Sequence, residues 1–113
     1  MKHVTKTIGF APELVLLVQE ESKTLTYRLG DKYDFLHIGD TIRVDDSSTG
    51  IVFGEVVITE KSQTTFGVLP IDRNGHEAYL SKKNQRNVFE GYYGTTIDDT
   101  DTFIVLGFTL LKE

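Results

Sequence analysis

Cysteine is absent from all 113 residues, which excludes disulfides, thiolate metal sites and a cysteine nucleophile together. Histidine is scarce. His3, His37 and His76 show no ligand spacing, and His76-Glu77 opens the string HEAYL without the second histidine that a helical zinc site needs four residues on. No metal and no cofactor are expected. The chain also has no GxSxG string and no phosphate-binding glycine loop, so serine hydrolase and nucleoside triphosphatase chemistry drop out. Long apolar runs are missing. Met1 to Lys6 leads into none, and Leu14 to Val18 is far too short to span a bilayer, which points to a soluble, cytoplasmic protein with no membrane partner. Positive charge is in deficit, with 12 Lys and Arg against 17 Asp and Glu and a net charge of -5. That balance argues against indiscriminate binding to a polyanion, while a local basic patch still acts within a Debye length of about 10 Å. Repeats, linkers and low-complexity tracts are absent as well. One domain over residues 1–113 is expected, with a monomer favoured, and a chain of this length buries roughly two-thirds of its unfolded surface without staples.

What is present reads in order as an α+β domain. Phe10-Ala11-Pro12-Glu13 opens a helix: Pro12 suits the first helical position and Glu13 the positive end of the dipole. Leu14, Leu17 and Val18 then form an apolar stripe that stops near Glu20-Glu21-Ser22. After the turns at Gly30-Asp31 and Gly39-Asp40, Thr41 to Asp45 and Ile51 to Thr59 form a hairpin, with Gly54 a candidate bulge or point of close approach. Thr64 to Pro70 fits either a short strand or one helical turn. Ser81 suits the N-cap of a second helix that carries Val88 and Phe89 inward and stops near Gly91 or Gly94. Thr102 to Leu111 is the most apolar segment and predicts a strand buried on both faces. These elements predict a small mixed β-barrel with two short helices. Its expected core is Leu25, Tyr27, Ile42, Val44, Val52, Val57, Ile104, Leu106 and Phe108, covered by Leu14, Leu17 and Phe89.

The chemistry concentrates in Lys23 to Arg28, KTLTYR, which brings an amine, two threonine hydroxyls and a guanidinium into six residues. As a strand it places Leu25 and Tyr27 on one face and Thr24, Thr26 and Arg28 on the other. Lys23 and Thr26 have opposite parity, so they can share a site only if Lys23 sits in the preceding turn or on a bulge. Each residue also has a plain structural role: threonine for strand propensity, Arg28 as a partner for Asp31, Asp34 or Asp40, and Glu77 as a solvated loop carboxylate.

The strings SKTLTYR, HIGDTIRV, GHEAYL, VFEGYYG and the terminal FIVLGF together resemble the ASCH domain of the PUA-like superfamily over nearly the whole chain. The family's small-Lys-x-x-Thr-x-Arg pattern falls on Ser22, Lys23, Thr26 and Arg28, with Ser22 where glycine is commoner. The resemblance implies a PUA-like barrel whose cleft takes RNA or nucleoside ligands. One branch of the family deacetylates N(4)-acetylcytidine, and similarity to that branch implies Lys23 as proton acceptor, Thr26 as nucleophile and Glu77 as proton donor.

Thr24 and Arg28 extend this set as ligand contacts, and Tyr92 and Tyr93 supply rings that could stack on a base or simply pack the helix end. Lys82 and Arg86, at a helix start where the dipole disfavours cations, join Arg73 either as a phosphate-contacting patch or as solvated surface. The expected partner is RNA or a small nucleoside. Binding ranks first, amide hydrolysis of acylated nucleosides second, and a ribonuclease in which Lys23 and Arg28 stabilise phosphate charge third.

Overall fold

The computed structural model describes residues 7–112. The apolar string near its end forms the interior strand: between Phe103 and Phe108 every residue of Thr102–Leu110 (β5) is buried. Burial on both faces explains why this strand does not alternate. Its even-numbered Ile104, Leu106 and Phe108 pack with Ile42 and Val44 of Thr41–Asp46 (β3) and with Val56 and Ile58 of Val52–Thr65 (β4). Its odd-numbered Phe103 and Val105 pack with Leu25 and Tyr27 of Leu25–Leu29 (β2) and with Phe66 and Phe89.

The five strands run in the order β1-β3-β4-β5-β2. Thr7–Phe10 (β1) is parallel to β3, and the other pairings are antiparallel. Both edges stay unpaired by backbone among the described residues, so the expected α+β domain of a mixed sheet with two short helices stands, and it is a barrel only loosely, because the sheet is not closed. The sheet is nonetheless curled, because Arg28 on edge strand β2 donates through Nη2 to the Gly9 carbonyl on edge strand β1 at 2.8 Å.

Strand β4 carries two irregularities. Val44 pairs with Gly54 but Asp45 with Val52, and Ile58 pairs with Phe108 but Glu60 with Gly107, so Phe53 and Thr59 are each one residue too many. An extra residue reverses the inward parity of the strand beyond it. The extra residue at Phe53 turns Val52 outward, 45% exposed, although it shares the even numbering of Val56 and Ile58; these two fill the core, and Val57, expected there together with Val52, is only half-buried. Gly54 sits at the first bulge, where a Cβ would come within 3.3 Å of Leu110. Beyond Thr65 the chain tightens into a single 3₁₀ turn, Phe66–Val68, so Thr64 to Pro70 is strand end and helical turn in succession.

Helix α1, Pro12–Gln19, turns Val18 inward with Leu14 and Leu17 half-buried. The amides of Ser22 and Lys23 both donate to the Leu17 carbonyl at 3.0 Å. This wraps the chain back on the helix end, so Lys23 precedes β2 rather than opening it. Helix α2, Lys82–Tyr93, starts where Ser81 accepts from the Asn84 amide at 3.0 Å, and ends at Gly94 in the left-handed conformation. Among the described residues no helix is long and apolar enough to cross a membrane.

Candidate ligand-binding cleft

A cleft of about 530 Å³ opens between the two sheet edges. Gly9, Phe10 and Ala11 at the β1–α1 junction form one side and Thr26 to Leu29 of β2 the other; His76, Glu77 and Tyr79 close the interior, and Tyr33, Tyr92 and Tyr93 stand among its lining. Lys23, Thr26, Arg28 and Glu77 all line it.

Lys23 is 3% exposed. Its ammonium donates to the Glu77 carboxylate at 2.6 Å and to the Leu25 carbonyl at 2.9 Å. Burial lowers its pKa below the ordinary lysine value; Glu77 opposes that shift and Arg28 adds to it. The turn after α1 makes the contact available, since it releases Lys23 from the strand parity that would have pointed it away from Thr26.

Glu77 arrives from the other direction, on a loop docked against the start of β2. Gly75 accepts a hydrogen bond from the Thr24 amide at 2.8 Å. It has φ +91°, and a Cβ there would fall 2.5 Å from the Thr24 hydroxyl. Only glycine fits both the conformation and the space. The Thr24–Gly75 contact is what sets Glu77 opposite Lys23, while Thr24 itself does not line the cleft.

Thr26 is 5% exposed, and its Oγ1 accepts from Arg28 Nε at 2.9 Å. The Arg28 guanidinium carbon lies 4.9 Å from the centre of the Phe10 ring and 5.5 Å from that of Tyr33. Burial lowers the Arg28 pKa, opposed by the Tyr93 and Tyr33 phenols, and a guanidinium so placed stays charged. Arg28 donates to Thr26 and Gly9, and the Tyr33 phenol is a further side-chain partner.

His76 is the site residue that sequence reasoning missed. Its ring stacks on Tyr27 with centroids 4.0 Å apart and planes 10° apart, and its Nδ1 lies 3.1 Å from the Glu77 carbonyl. Burial, reinforced by the Lys23 charge, lowers its pKa from 6.5 to about 4, so the ring is neutral at physiological pH. Burial also raises the phenol pKa values of Tyr27 and Tyr79. The only signal for His76 in the sequence is its adjacency to Glu77, which points to a metal motif instead. Among the described residues no group of three or more His, Asp or Glu is placed to hold a metal ion.

Tyr92 and Tyr93 both line the cleft and are also tied down. The Tyr92 hydroxyl donates to Glu13 at 3.3 Å; that of Tyr93 accepts from the Leu29 amide at 3.1 Å. Arg73, Lys82 and Arg86 lie outside the lining. Arg73 pairs with Glu60 at 2.6 Å, and Arg86 with the Ile97 carbonyl and Asp99. Lys82 donates to the carbonyls of Phe66 and Leu69 and to Gln85 Oε1, so its unfavourable place at the helix start is offset by acceptors of the preceding turn.

No family model and no curated protein matches the sequence. Solved structures do. The chain is similar to ASCH from Zymomonas mobilis, with 21% identity and a TM-score of 0.63 over 91% of this chain and 65% of that one. It is similar to an ASCH domain from Lactobacillus crispatus JV V101, at 14% identity and TM-score 0.64 over 93% and 79% of the two chains. A third likeness is to protein EF3133 of Enterococcus faecalis V583, family DUF984, at 13% identity and TM-score 0.73 over 98% and 78%. The chain thus spans about two thirds of the length of the Zymomonas protein.

Proposed function

This chain has the α+β fold of the PUA-like ASCH domains, and from that premise we propose that its cleft binds a nucleoside, or a single base of an RNA strand, with Lys23, Thr26 and Glu77 as the polar head of the site. The observation that carries this reading is the Lys23–Glu77 contact at 2.6 Å inside a cavity that Thr26 also lines. Convergent polar groups within an aromatic-rich cleft of this size are the mark of a small-ligand site. Tyr92 and Tyr93, which line the cleft and are 47% and 38% exposed, offer rings of the kind on which bases stack. Arg73, Lys82 and Arg86 are held by partners within the fold, which favours a ligand recognised by its base over a phosphate track.

The same contact supports a second reading, the amidohydrolase. A proton passed from Lys23 to Glu77 turns the ion pair into a neutral amine and a carboxylic acid, the base and acid that amide cleavage requires. Lys23 then takes the Thr26 hydroxyl proton as Oγ1 bonds the acyl carbon. Glu77 protonates the leaving amine as the C–N bond breaks, which restores the ion pair, and water cleaves the acyl ester. A ribonuclease has the least support, because Glu77 already neutralises the lysine that would face the phosphate.

The test is a nucleoside panel that includes N(4)-acetylcytidine, incubated with the pure protein and followed by native and liquid-chromatography mass spectrometry. A one-to-one nucleoside complex is expected, with cytidine and acetate as products under the second reading. No complex with any nucleoside up to about 1 mM, a binding free energy of only about 4 kcal/mol, overturns the proposal.

A further inference from the structure

The lysine and arginine side chains that line the cleft are Lys23, Arg28 and Lys32, and they face a single carboxylate, that of Glu77. The chain as a whole runs the other way, with a net charge of -5. Glu77 is already paired with Lys23 at 2.6 Å. Among the described residues neither Arg28 nor Lys32 has a carboxylate within ion-pair distance, and Asp34, close to Lys32 in sequence, pairs with Lys61 at 3.3 Å instead. The two unpaired cations are nevertheless gathered at one place. The Arg28 guanidinium carbon and the Lys32 ammonium each lie 5.5 Å from the centre of the same ring, that of Tyr33. Like charges brought to one ring repel, and an anion between them relieves the repulsion. Donors are left over here as well. The five N–H groups of a guanidinium outnumber the partners of Arg28, which are Thr26, Gly9 and the Tyr33 phenol, and the exposed Lys32 ammonium adds three more.

We propose that Arg28 and Lys32 form an anion subsite at the Tyr33 end of the cleft, and that it takes the phosphate monoester of a mononucleotide. A phosphate monoester carries a charge of about -1.5 to -2 at neutral pH, which matches two unpaired cations, whereas each phosphate within a strand carries only one negative charge. The subsite is continuous with the polar head of the cleft, since Arg28 Nε donates to Thr26 at 2.9 Å. It is one phosphate position and not a track, because Arg73, Lys82 and Arg86 lie outside the lining. That a nucleoside bears the phosphate rests on the nucleoside reading of the cleft; the subsite itself rests on the placement of the charges.

Inorganic phosphate probes the subsite without any nucleoside. In NMR of the arginine Nε–H and lysine Cε–H groups, phosphate is expected to shift the Arg28 and Lys32 signals saturably, with a midpoint of about 10 mM or below, while sodium chloride at matched ionic strength does not. Lys32→Gln should weaken that response several-fold, and Lys32→Arg, which keeps the charge, should retain it. No saturable shift at Arg28 up to about 50 mM phosphate, or the same shift in Lys32→Gln, overturns the subsite. Calorimetric titration of cytidine and of its 5′- and 3′-monophosphates then tests the ligand. One monophosphate is expected to bind about tenfold more tightly than cytidine at low salt, by a margin that shrinks as salt rises and that falls to about twofold or less in Lys32→Gln. Equal affinities for cytidine and both monophosphates overturn the mononucleotide. Tighter binding of the dinucleotide cytidylyl-cytidine than of either monophosphate overturns it as well, because the phosphate would then belong to a strand. If none of these nucleosides and nucleotides binds while inorganic phosphate does, the mononucleotide falls with the nucleoside reading and the anion subsite stands. Lys32 is exposed, so neither of its variants removes packing that the fold needs.

Discussion

The ammonium of Lys23 meets the carboxylate of Glu77 at 2.6 Å across a sequence separation of 54 residues. Removing the carboxylate leaves a buried cation alone, and breaking one side of such a pair is strongly destabilising. Glu77→Gln is expected to cost about 3 kcal/mol at neutral pH in denaturant melts. Lys23 has a folded pKa below its unfolded value of 10.5. Its burial penalty is therefore full at low pH and is relieved as pH rises toward that value, because the unfolded chain then binds more protons. The deficit of Glu77→Gln should shrink toward about pH 10, and Lys23→Met in the same chain should recover part of it at neutral pH. A loss that is independent of pH would mean that the lysine is not the cause.

His76 titrates in the opposite range. Its pKa falls from 6.5 to about 4 on folding, so the unfolded chain takes up a proton in that window before the folded one does. Stability is fully present above 6.5 and declines as pH falls to about 4, by up to roughly 3 kcal/mol from this group. His76→Phe keeps a ring against Tyr27 and removes the titration. Melts of the variant across that window should be flatter than those of wild type by this amount; parallel curves would show that His76 is not buried as a neutral ring.

Gly75→Ala probes how the loop delivers Glu77. The new Cβ meets the Thr24 hydroxyl at 2.5 Å in a backbone conformation of φ +91° that L-residues avoid. A loss of about 2 kcal/mol is expected, together with weaker nucleoside binding as Glu77 leaves Lys23. Thr24→Ala combined with Gly75→Ala should recover the part due to the clash. A Gly75→Ala protein with wild-type stability and affinity would show that the loop is not docked through this contact.

Lys82 separates an internal clamp from a phosphate patch. Its ammonium serves Leu69 and Gln85 at 2.8 Å each, and it lies 4.1 Å from the centre of the Phe66 ring. Lys82→Ala is expected to lower stability by about 1–3 kcal/mol and to leave affinity for N(4)-acetylcytidine unchanged. A loss of affinity that grows at low salt would instead restore the patch.

Sequence pattern reaches those parts of the fold whose cause is local. Ser81 caps α2 and Gly94 ends it because capping needs only neighbouring residues, and β5 is legible because burial on both faces leaves an unbroken apolar run. Strand β1 is not legible: four residues, Thr7–Phe10, are too few to show alternation, and Phe10 reads in sequence as the approach to α1. That Val52 faces out while Val56 and Ile58 face in depends on the bulge at Phe53, which only the partner strand reveals. The site divides in the same way. Lys23, Thr26 and Arg28 sit in one compact string, whereas His76 enters through its stack on Tyr27, a tertiary contact. Arg73, Lys82 and Arg86 are basic in sequence alone; Glu60, Asp99 and backbone carbonyls supply their partners only once the chain is folded.

Isothermal titration of N(4)-acetylcytidine, with cytidine release followed in the same samples, tests the central claim most directly. The wild-type protein should bind one nucleoside. Lys23→Met, Thr26→Val and Glu77→Gln should each remove most of that binding or turnover, without adding when combined. Absence of binding, or binding that survives Lys23→Met and Thr26→Val together, would contradict the assignment of this cleft as the ligand site.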